Sequence, residues 1–223
     1  MVNLVGKKVS GTNCNIKKLK MIDNIEIIKP LLNFENQGDF YMLYVFKRKK
    51  DQPEGERDNH QSVRTIKTYC IESIDHLERR YEEIKMLCEI FQARAYIHVQ
   101  KQNHFDVSLN MMVALAQRIQ DGQHNQKGLF DSVVGQIKTK EKRWIVDIDT
   151  KDEEVLLKIM RIINGVKPEG NKIYSTIPTK NGYHLITGRF DVMEFQKYFL
   201  GGDIPDIQKK NPTLLYLPNS LSL

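Results

Sequence analysis

Two carboxylates and one imidazole are the side chains of this sequence whose types and spacing could do chemistry together. Asp147 and Asp149 belong to the run WIVDID at residues 144–149, and His184 ends the run TKNGYH that begins at Thr179. Successive side chains of a strand point to opposite faces, so Asp147 and Asp149 are expected to share one face. Like charges this close are costly without a cation between them, and paired oxygen ligands suit Mg²⁺ or Mn²⁺ bound to substrate phosphates. The spacing therefore predicts a divalent-metal site.

The elements that must position these residues follow WIVDID in a regular order. Each is marked by a cap, by a turn or by an apolar run. They are a helix capped by Asp152, strands Lys172–Pro178 and Tyr183–Thr187 joined by a Lys-Asn-Gly turn, a helix through Phe199 with an Asp191/Glu194 capping box, and a strand Thr213–Leu217. The order β-α-β-β-α-β predicts an RRM-like four-stranded antiparallel sheet.

This topology predicts which residues meet. Its first and third strands are neighbours in the middle of the sheet, so His184 is expected beside Asp147 and Asp149. The closing strand Thr213–Leu217 is expected next to the first strand. Either Asp203 or Asp206, which flank Pro205, could then bring a third carboxylate to the metal. His184 is expected to donate a hydrogen bond to a phosphate oxygen.

The turn before His184 predicts a phosphate-binding loop. It offers the hydroxyl of Thr179, the ammonium of Lys180 and the amide of Asn181, followed by Gly182. Glycine lets backbone N–H groups approach a triphosphate closely. The turn therefore adds nucleotide-binding groups beside the predicted metal site.

The N-terminal half predicts a separate α/β unit. The apolar run Ile25–Leu32 is too short to assign to a helix or a strand. The remaining elements are expected to be a hairpin of Asp39–Arg48 and Val63–Ile71, a helix capped by Ser73, a strand Ala95–Gln100 and a helix capped by Asp106. The predicted fold class is thus α+β, with an N-terminal α/β subdomain at residues 1–140 packed on an RRM-like catalytic subdomain at residues 141–223.

Composition limits the classes of partner and compartment. The 223 residues carry a formal charge of +6 and have a pI of about 9.1, which favours a polyanionic partner. Cys14, Cys70 and Cys88 form no CxxC pair, so neither a zinc site nor a disulfide framework is expected. No run approaches the roughly 20 apolar residues that span a bilayer. The sequence therefore predicts a soluble cytoplasmic protein with no membrane partner.

A basic and aromatic set on the predicted hairpin favours nucleic acid as that polyanion. Such a set can contact phosphates and stack bases, although the signal is not specific. Its members are Lys47–Lys50, Arg57, Arg64, Lys67, Tyr41, Tyr44 and Tyr69.

These motifs resemble the archaeo-eukaryotic primase superfamily of primases and primase-polymerases. The catalytic core of that family carries an hhhDhD strand, a turn ending in G-x-H, and a later Asp upstream of an apolar strand that runs into P-x-S. This chain has WIVDID, TKNGYH, and Asp206 upstream of TLLYLPNS, in that order. The resemblance covers roughly residues 140–221, and it includes no zinc-binding stem and no helicase segment.

The resemblance implies a template-directed DNA primase or primase-polymerase. By this resemblance Asp147, Asp149 and Asp206 hold Mg²⁺ or Mn²⁺ in a two-metal site, and His184 contacts the nucleotide phosphates. The family often has a basic residue where this chain has Tyr216 or Asn181, so phosphate contacts are expected from Lys180, Lys209 or Lys210 instead. The expected partners are a single-stranded DNA template, NTP or dNTP, and a helicase or an accessory primase subunit.

Two other classes of function use the same residues differently. A metal-dependent nuclease or phosphodiesterase would need the same carboxylates but no triphosphate. A non-catalytic module on an RRM-like sheet would bind single strands through aromatic residues of the central strands, of which Tyr183 is one. Aspartates in the middle of the sheet argue against the binding module.

Overall fold

The protein has a mixed α+β fold with two antiparallel sheets, seen in a computed structural model that describes residues 21–52, 63–137, 139, 141–199 and 202–219. The strands are β1 (Ile22–Asp23), β2 (Asp39–Arg48), β3 (Val63–Ile71), β4 (Arg94–Ile97), β5 (Gln102–Asn103), β6 (Trp144–Ile148), β7 (Ile173–Pro178), β8 (Tyr183–Thr187), β9 (Asp206–Gln208) and β10 (Thr213–Leu217). The helices are α1 (Ile25–Ile28), α2 (Ile74–Phe91), α3 (His104–Gln120), α4 (Leu129–Gln136), α5 (Glu153–Gly165) and α6 (Val192–Lys197).

The first sheet is built on the predicted hairpin. Strands β2 and β3 pair antiparallel from Tyr41 opposite Ile71 to Arg48 opposite Val63, which confirms the hairpin. The strand order is β1-β10-β4-β2-β3, and β5 pairs with the start of β2. This sheet therefore combines strands from both ends of the described chain.

The second sheet contains the predicted catalytic strands in the order β7-β8-β6-β9, and every pair is antiparallel. The prediction that β6 and β8 are neighbours is confirmed. The predicted position of Thr213–Leu217 is wrong, because that segment is β10 of the first sheet and Asp206–Gln208 takes the place beside β6.

Burial explains why β10 belongs to the first sheet and not to the second. All five of its residues are buried; Leu215 packs in the core with α2, whereas Leu214 and Leu217 pack with Tyr96 in a separate cluster. A strand with apolar side chains on both faces needs cover on both faces, and the position between β1 and β4 supplies it. The shorter and more polar β9 tolerates the solvent-facing edge of the second sheet.

The helix starts agree with most of the predicted caps. Ser73 and Asp152 accept backbone N–H groups at the starts of α2 and α5, as predicted. The predicted cap of α3 is wrong: the helix begins at His104, and Asn103 accepts the N–H of Phe105. Helix α4 was not predicted, and the apolar run from Ile25 forms α1 followed by a 3-10 turn.

Helix α6 shows half of the predicted capping box. Asp191 accepts the N–H of Glu194, but the Glu194 carboxylate accepts the N–H of Lys167 instead of closing the box on Asp191. The helix ends at Lys197, before the predicted end at Phe199. Glu194 therefore ties α6 to the loop that follows α5.

Strand β6 is held between two hydrophobic cores. Trp144, Val146 and Ile148 of β6 pack in a core with residues of α5 and α6. Ile145 packs in the largest core, together with Ile177 and Ile186 of the same sheet, α2 and the first sheet. Alternate side chains of β6 thus enter different cores, which fixes its register. No helix in the described ranges is both long and apolar enough to cross a bilayer.

Candidate active site

Strand β6 presents Asp147 on the face it shares with Ile145. The side chains before and after it, Val146 and Ile148, are buried against the helices, so the half-buried carboxylate of Asp147 points the other way. This orientation confirms the predicted alternation within β6, from Trp144 to Ile148. Asp149 is exposed and follows the last paired residue of the strand.

His184 lies directly opposite Asp147 on the neighbouring strand. The two are Cα partners in the β6–β8 ladder, and His184 Nε2 lies 3.5 Å from Asp147 Oδ1. The imidazole is buried, with 7% of its residue area exposed. Its Nδ1 lies 2.9 Å from the hydroxyl oxygen of Thr213, at the start of β10. His184 therefore contacts Thr213 of the first sheet through Nδ1 and Asp147 of the second sheet through Nε2.

Asp206 lies opposite Asp147 on the other side. The two are Cα partners in the β6–β9 ladder, and side chains of directly opposite residues share a face. Gln208 Nε2 donates to Asp206 Oδ2 at 2.9 Å and to Asp147 Oδ2 at 3.4 Å. Asp203 lies in the loop before β9 and is exposed. Of the two candidates for a third carboxylate, the pairing brings Asp206 to the site and leaves Asp203 outside it.

The electrostatics of Asp147 reflect this crowding. Burial raises the pKa of the Asp147 carboxyl above its usual value, and the carboxylates of Asp149 and Asp206 raise it further. Arg48 of the first sheet acts in the opposite direction. The site therefore carries an excess of negative charge that a bound cation would relieve.

The imidazole of His184 is neutral at neutral pH. Burial, and after it the charge of Arg48, lowers the pKa of His184 to about 4. The contact with Asp147 is therefore not an ion pair. A carboxylate only accepts hydrogen bonds, so both contacts are satisfied when the Thr213 hydroxyl donates to Nδ1 and Nε2 carries the proton. This tautomer points an N–H group towards Asp147.

Arg48 forms the opposing wall of the cleft that contains Asp147. Its guanidinium donates to Tyr96 Oη at 2.6 Å and lies 5.3 Å from the centroid of that ring, which stacks on Phe46. The cleft has a volume of about 490 Å³. It is lined by Phe46, Arg48, Lys49, Val63, Tyr96, Asp147, His184, Gln208, Asn211 and Pro212. A fixed cation therefore faces the carboxylate and the imidazole.

Sequence reasoning placed Arg48 only in a general basic set and missed Thr213 and Gln208 as members of the site. The pairing of distant strands brings them to Asp147, and no local motif marks them. Arg57 of the basic set lies outside the described residues. Tyr41 and Tyr69 are buried, so they are not available to stack bases as predicted.

The predicted phosphate loop packs against the end of β6. A Cβ on Gly182 would lie 1.8 Å from the carbonyl oxygen of Ile148 and 2.7 Å from the backbone nitrogen of Thr150. The N–H of Gly182 donates to Thr179 Oγ1, and the N–H of Thr179 donates to the Gly182 carbonyl. Glycine is needed here for the close contact between the turn and the end of β6.

The remaining predicted nucleotide contacts lie outside the cleft around Asp147. Lys180 is half-buried and Asn181 is exposed, and both belong to the turn beside the end of β6. Lys209 lies with its ammonium 5.0 Å from the centroid of the Trp144 ring, in a different cleft. The structure therefore brings Asp147, His184 and Asp206 together but does not bring Lys209 to them.

The donor chemistry of the site fits Mg²⁺ or Mn²⁺, which prefer carboxylate oxygens. The fit rests on the clustered carboxylates of Asp147, Asp149 and Asp206 and on their effect on the pKa of Asp147. Within the described ranges, no three His, Cys, Asp or Glu side chains are already arranged to hold an ion. Because Gln208 donates to both Asp147 and Asp206, its amide must turn before those two can share a cation.

Comparison with known proteins gives no family for the chain. No family model matches it, and neither the curated proteins nor the solved structures contain a match.

Proposed function

We propose that the protein is a template-directed nucleotidyltransferase of the primase or primase-polymerase type. It would join an NTP or dNTP to the 3′-hydroxyl of a strand paired with single-stranded DNA. One observation carries the proposal: Asp147 lies between Asp206 and His184 as the strand partner of both, with Arg48 across the cleft. The Asp147 carboxylate for a metal and an imidazole and a guanidinium for phosphates thus line one cleft, and Asp206 is the strand partner of Asp147 beside it.

The fold around these residues supports the same proposal. From β6 to β9 the element order is β-α-β-β-α-β, and the strand order is β7-β8-β6-β9. An RRM-like sheet has this element order, and the resemblance of WIVDID and TKNGYH to primase motifs falls on its two central strands. The Asp147 carboxylate occupies a central strand of the sheet, where a binding module would have aromatic residues.

The protein's own residues would act mainly by positioning. Neutral His184 would shift its Nε2–H from Asp147 to an oxygen of the triphosphate, and Arg48 would place a permanent charge beside it. Asp147, Asp149 and Asp206 would hold Mg²⁺ or Mn²⁺. The bound ions would neutralise charge on the triphosphate and lower the pKa of the attacking hydroxyl.

The reaction forms one bond and breaks one bond at the α-phosphorus. The 3′-hydroxyl oxygen attacks in line, its proton is lost to solvent or a nearby base, and pyrophosphate leaves with the electron pair of the broken P–O bond. The donors of Arg48 and His184 would stabilise the charge that develops on the phosphate oxygens. Base pairing with the template would supply the sequence specificity.

A primer-extension assay tests this function. The parent protein is incubated with primed single-stranded DNA, Mg²⁺ or Mn²⁺ and labelled NTP or dNTP. We expect Asp147→Asn to lower incorporation at least about 100-fold, since even the outer-shell partners of metal ligands are worth 10–100-fold. Asp203→Asn, which removes an exposed carboxylate just outside the site, should retain the parent rate.

Two outcomes would contradict the proposal. Equal incorporation by Asp147→Asn and Asp203→Asn would remove the carboxylate site from the reaction. Loss of the DNA substrate without use of triphosphate would instead identify a nuclease that uses the same carboxylates.

A further inference from the structure

A second cleft lies at the other end of β6, beside Trp144. Its volume is about 690 Å³. Five cationic side chains line it: Lys142, Lys167, Arg189, Lys209 and Lys210. The one carboxylate among its lining residues is Asp191. No role in the proposed reaction accounts for this concentration of positive charge.

The cleft keeps an excess of positive charge within the described structure, with five cations against one carboxylate. The Asp191 carboxylate is engaged as the cap of α6, where it accepts the N–H of Glu194 at 3.0 Å. None of the five cations pairs within 4.0 Å with an acidic side chain of the described ranges. Cations of one sign in a concave surface raise the local concentration of anions. The cleft is therefore suited to a polyanion.

The floor of the cleft indicates which part of the polyanion it would contact. Trp144 is buried and lies under the ammonium of Lys209, and Phe190 packs edge-on to it with ring centroids 5.5 Å apart. Neither ring has a free face for a base. Lys210 donates to the carbonyl of Gly135 at 2.7 Å, which holds its ammonium in place. The cleft is also lined by the polar side chains of Gln100, Gln136 and Thr139, but these hydrogen-bond within the protein. The cations are therefore the main groups left for a ligand, which favours recognition of phosphates over bases.

The basic cleft and the carboxylates are linked by two strands. Trp144 and Asp147 are three residues apart on β6, a distance of about 10 Å at 3.3–3.4 Å per residue. Strand β9 runs along the edge of the sheet from Asp206 at the carboxylates to Gln208, and Lys209 and Lys210 follow it directly. With about 3.4 Å between phosphates along a stacked strand, 10 Å corresponds to roughly three phosphates. Trp144 and Asp147 point to opposite faces of the sheet, so one nucleic-acid strand that reaches both places must pass around the edge strand β9, over at least this length.

We propose that this basic cleft binds the sugar-phosphate backbone of the DNA strand on which the carboxylates act. This proposal rests on the proposed function for the identity of the ligand and extends it with a second binding site. The cleft holds the strand by its phosphates a few nucleotides from the reacting end, and binding is independent of base sequence. The cleft thus contributes to the affinity for DNA and not to the chemical step.

Equilibrium binding over a range of salt concentrations tests the cleft directly. Fluorescence anisotropy of a labelled oligothymidylate is measured without triphosphate, for the parent and for the triple variant Lys142→Gln, Lys167→Gln, Arg189→Gln. The slope of log K against log salt concentration is negative, and for single strands its magnitude decreases by about 0.7 for each phosphate contact that is lost. We expect the slope of the triple variant to be shallower by roughly 2.

A matched control carries the same loss of charge elsewhere. Lys158→Gln, Arg161→Gln and Lys197→Gln remove three exposed cations from α5 and α6 that line neither cleft. This control should keep a slope close to that of the parent. Thermal unfolding of both triple variants confirms that they are folded. Equal slopes for the cleft variant and the control variant would overturn the proposal.

The two proposals fail in different ways. If the parent protein extends no primer but its DNA binding depends on the cleft cations, the proposed basic site stands and the proposed polymerase activity is rejected. If the protein extends primers but its cleft variant binds DNA as the control variant does, the proposed polymerase activity stands and the proposed basic site is rejected. Asp147→Asn should bind oligothymidylate at least as tightly as the parent, because it removes a negative charge.

Discussion

His184 and Asp147 are Cα partners on adjacent antiparallel strands, and the imidazole Nε2 lies 3.5 Å from the carboxylate Oδ1. The two residues come from motifs separated in the sequence by α5 and β7, and the pairing of β6 with β8 sets the distance between them. Because the imidazole is buried and neutral, the pair offers a hydrogen-bond donor beside an oxygen ligand.

Thr213 is expected to act as a positioning residue for His184. Thr213→Val keeps the shape of the side chain but leaves Nδ1 of a buried imidazole without its partner. We expect primer extension to fall about 10–100-fold, as for other outer-shell partners, and the free energy of unfolding to fall by about 1–3 kcal/mol. Thr213→Ser retains the hydroxyl and should recover most of the activity. Equal activity of the Val and Ser variants would remove Thr213 from this role.

Arg48 is expected to contribute to triphosphate binding. Hydrogen bonds to charged groups are worth about 1.5–3 kcal/mol, so Arg48→Gln should raise KM for the nucleotide roughly 10–100-fold. The value of kcat should fall as well, because the proposed contact also stabilises charge that develops in the transition state. Arg64→Gln removes an exposed arginine from the adjacent strand β3 and should leave KM unchanged. A similar KM for the two variants would argue against a contact with Arg48.

Gly182 is expected to be intolerant of any side chain. Its Cβ position coincides with the backbone of Ile148 and Thr150, so Gly182→Ala must push the turn away from β6. We expect the free energy of unfolding to drop by about 1–3 kcal/mol or more in urea denaturation. Gly165→Ala in α5 meets no heavy atom within 4 Å and should be neutral or stabilising by up to about 1 kcal/mol. The reverse ranking of the two variants would contradict the contact.

His98 is expected to weaken the fold in acid. Burial lowers the pKa of His98 from 6.5 to about 4, so below pH 6.5 the unfolded chain takes up a proton that the folded chain does not. Stability should therefore fall as the pH drops from about 6.5 towards 4, by up to about 1.4 kcal/mol per pH unit for this group. Above pH 6.5 both states are neutral at this position and the contribution is constant.

Urea denaturation at a series of pH values checks the effect of His98. His98→Gln should reduce the dependence of stability on pH in this window, whereas His124→Gln, at an exposed loop position, should preserve the parent's slope. His184 has a similarly lowered pKa and should keep part of the dependence in the His98 variant. Identical slopes for His98→Gln and the parent would show that His98 does not cause the effect.

The sequence by itself determined the local parts of the site. The alternation in WIVDID fixed the face of Asp147, the caps Ser73 and Asp152 fixed helix starts, and the turn ending at Gly182 placed His184 on the next strand. These features depend on neighbours within a few residues. The periodicity of two along a strand and the hydrogen bonds of a cap are therefore readable without knowledge of the fold.

Only the tertiary structure decided which strands and which distant side chains complete the site. Asp206 and not Asp203 lies beside Asp147 because β10, buried on both faces, inserts between β1 and β4 and leaves the edge of the second sheet to β9. The same choice of sheet brings Thr213 to His184. Strand pairing between distant segments depends on where each segment can bury both of its faces, and that is a property of the whole fold.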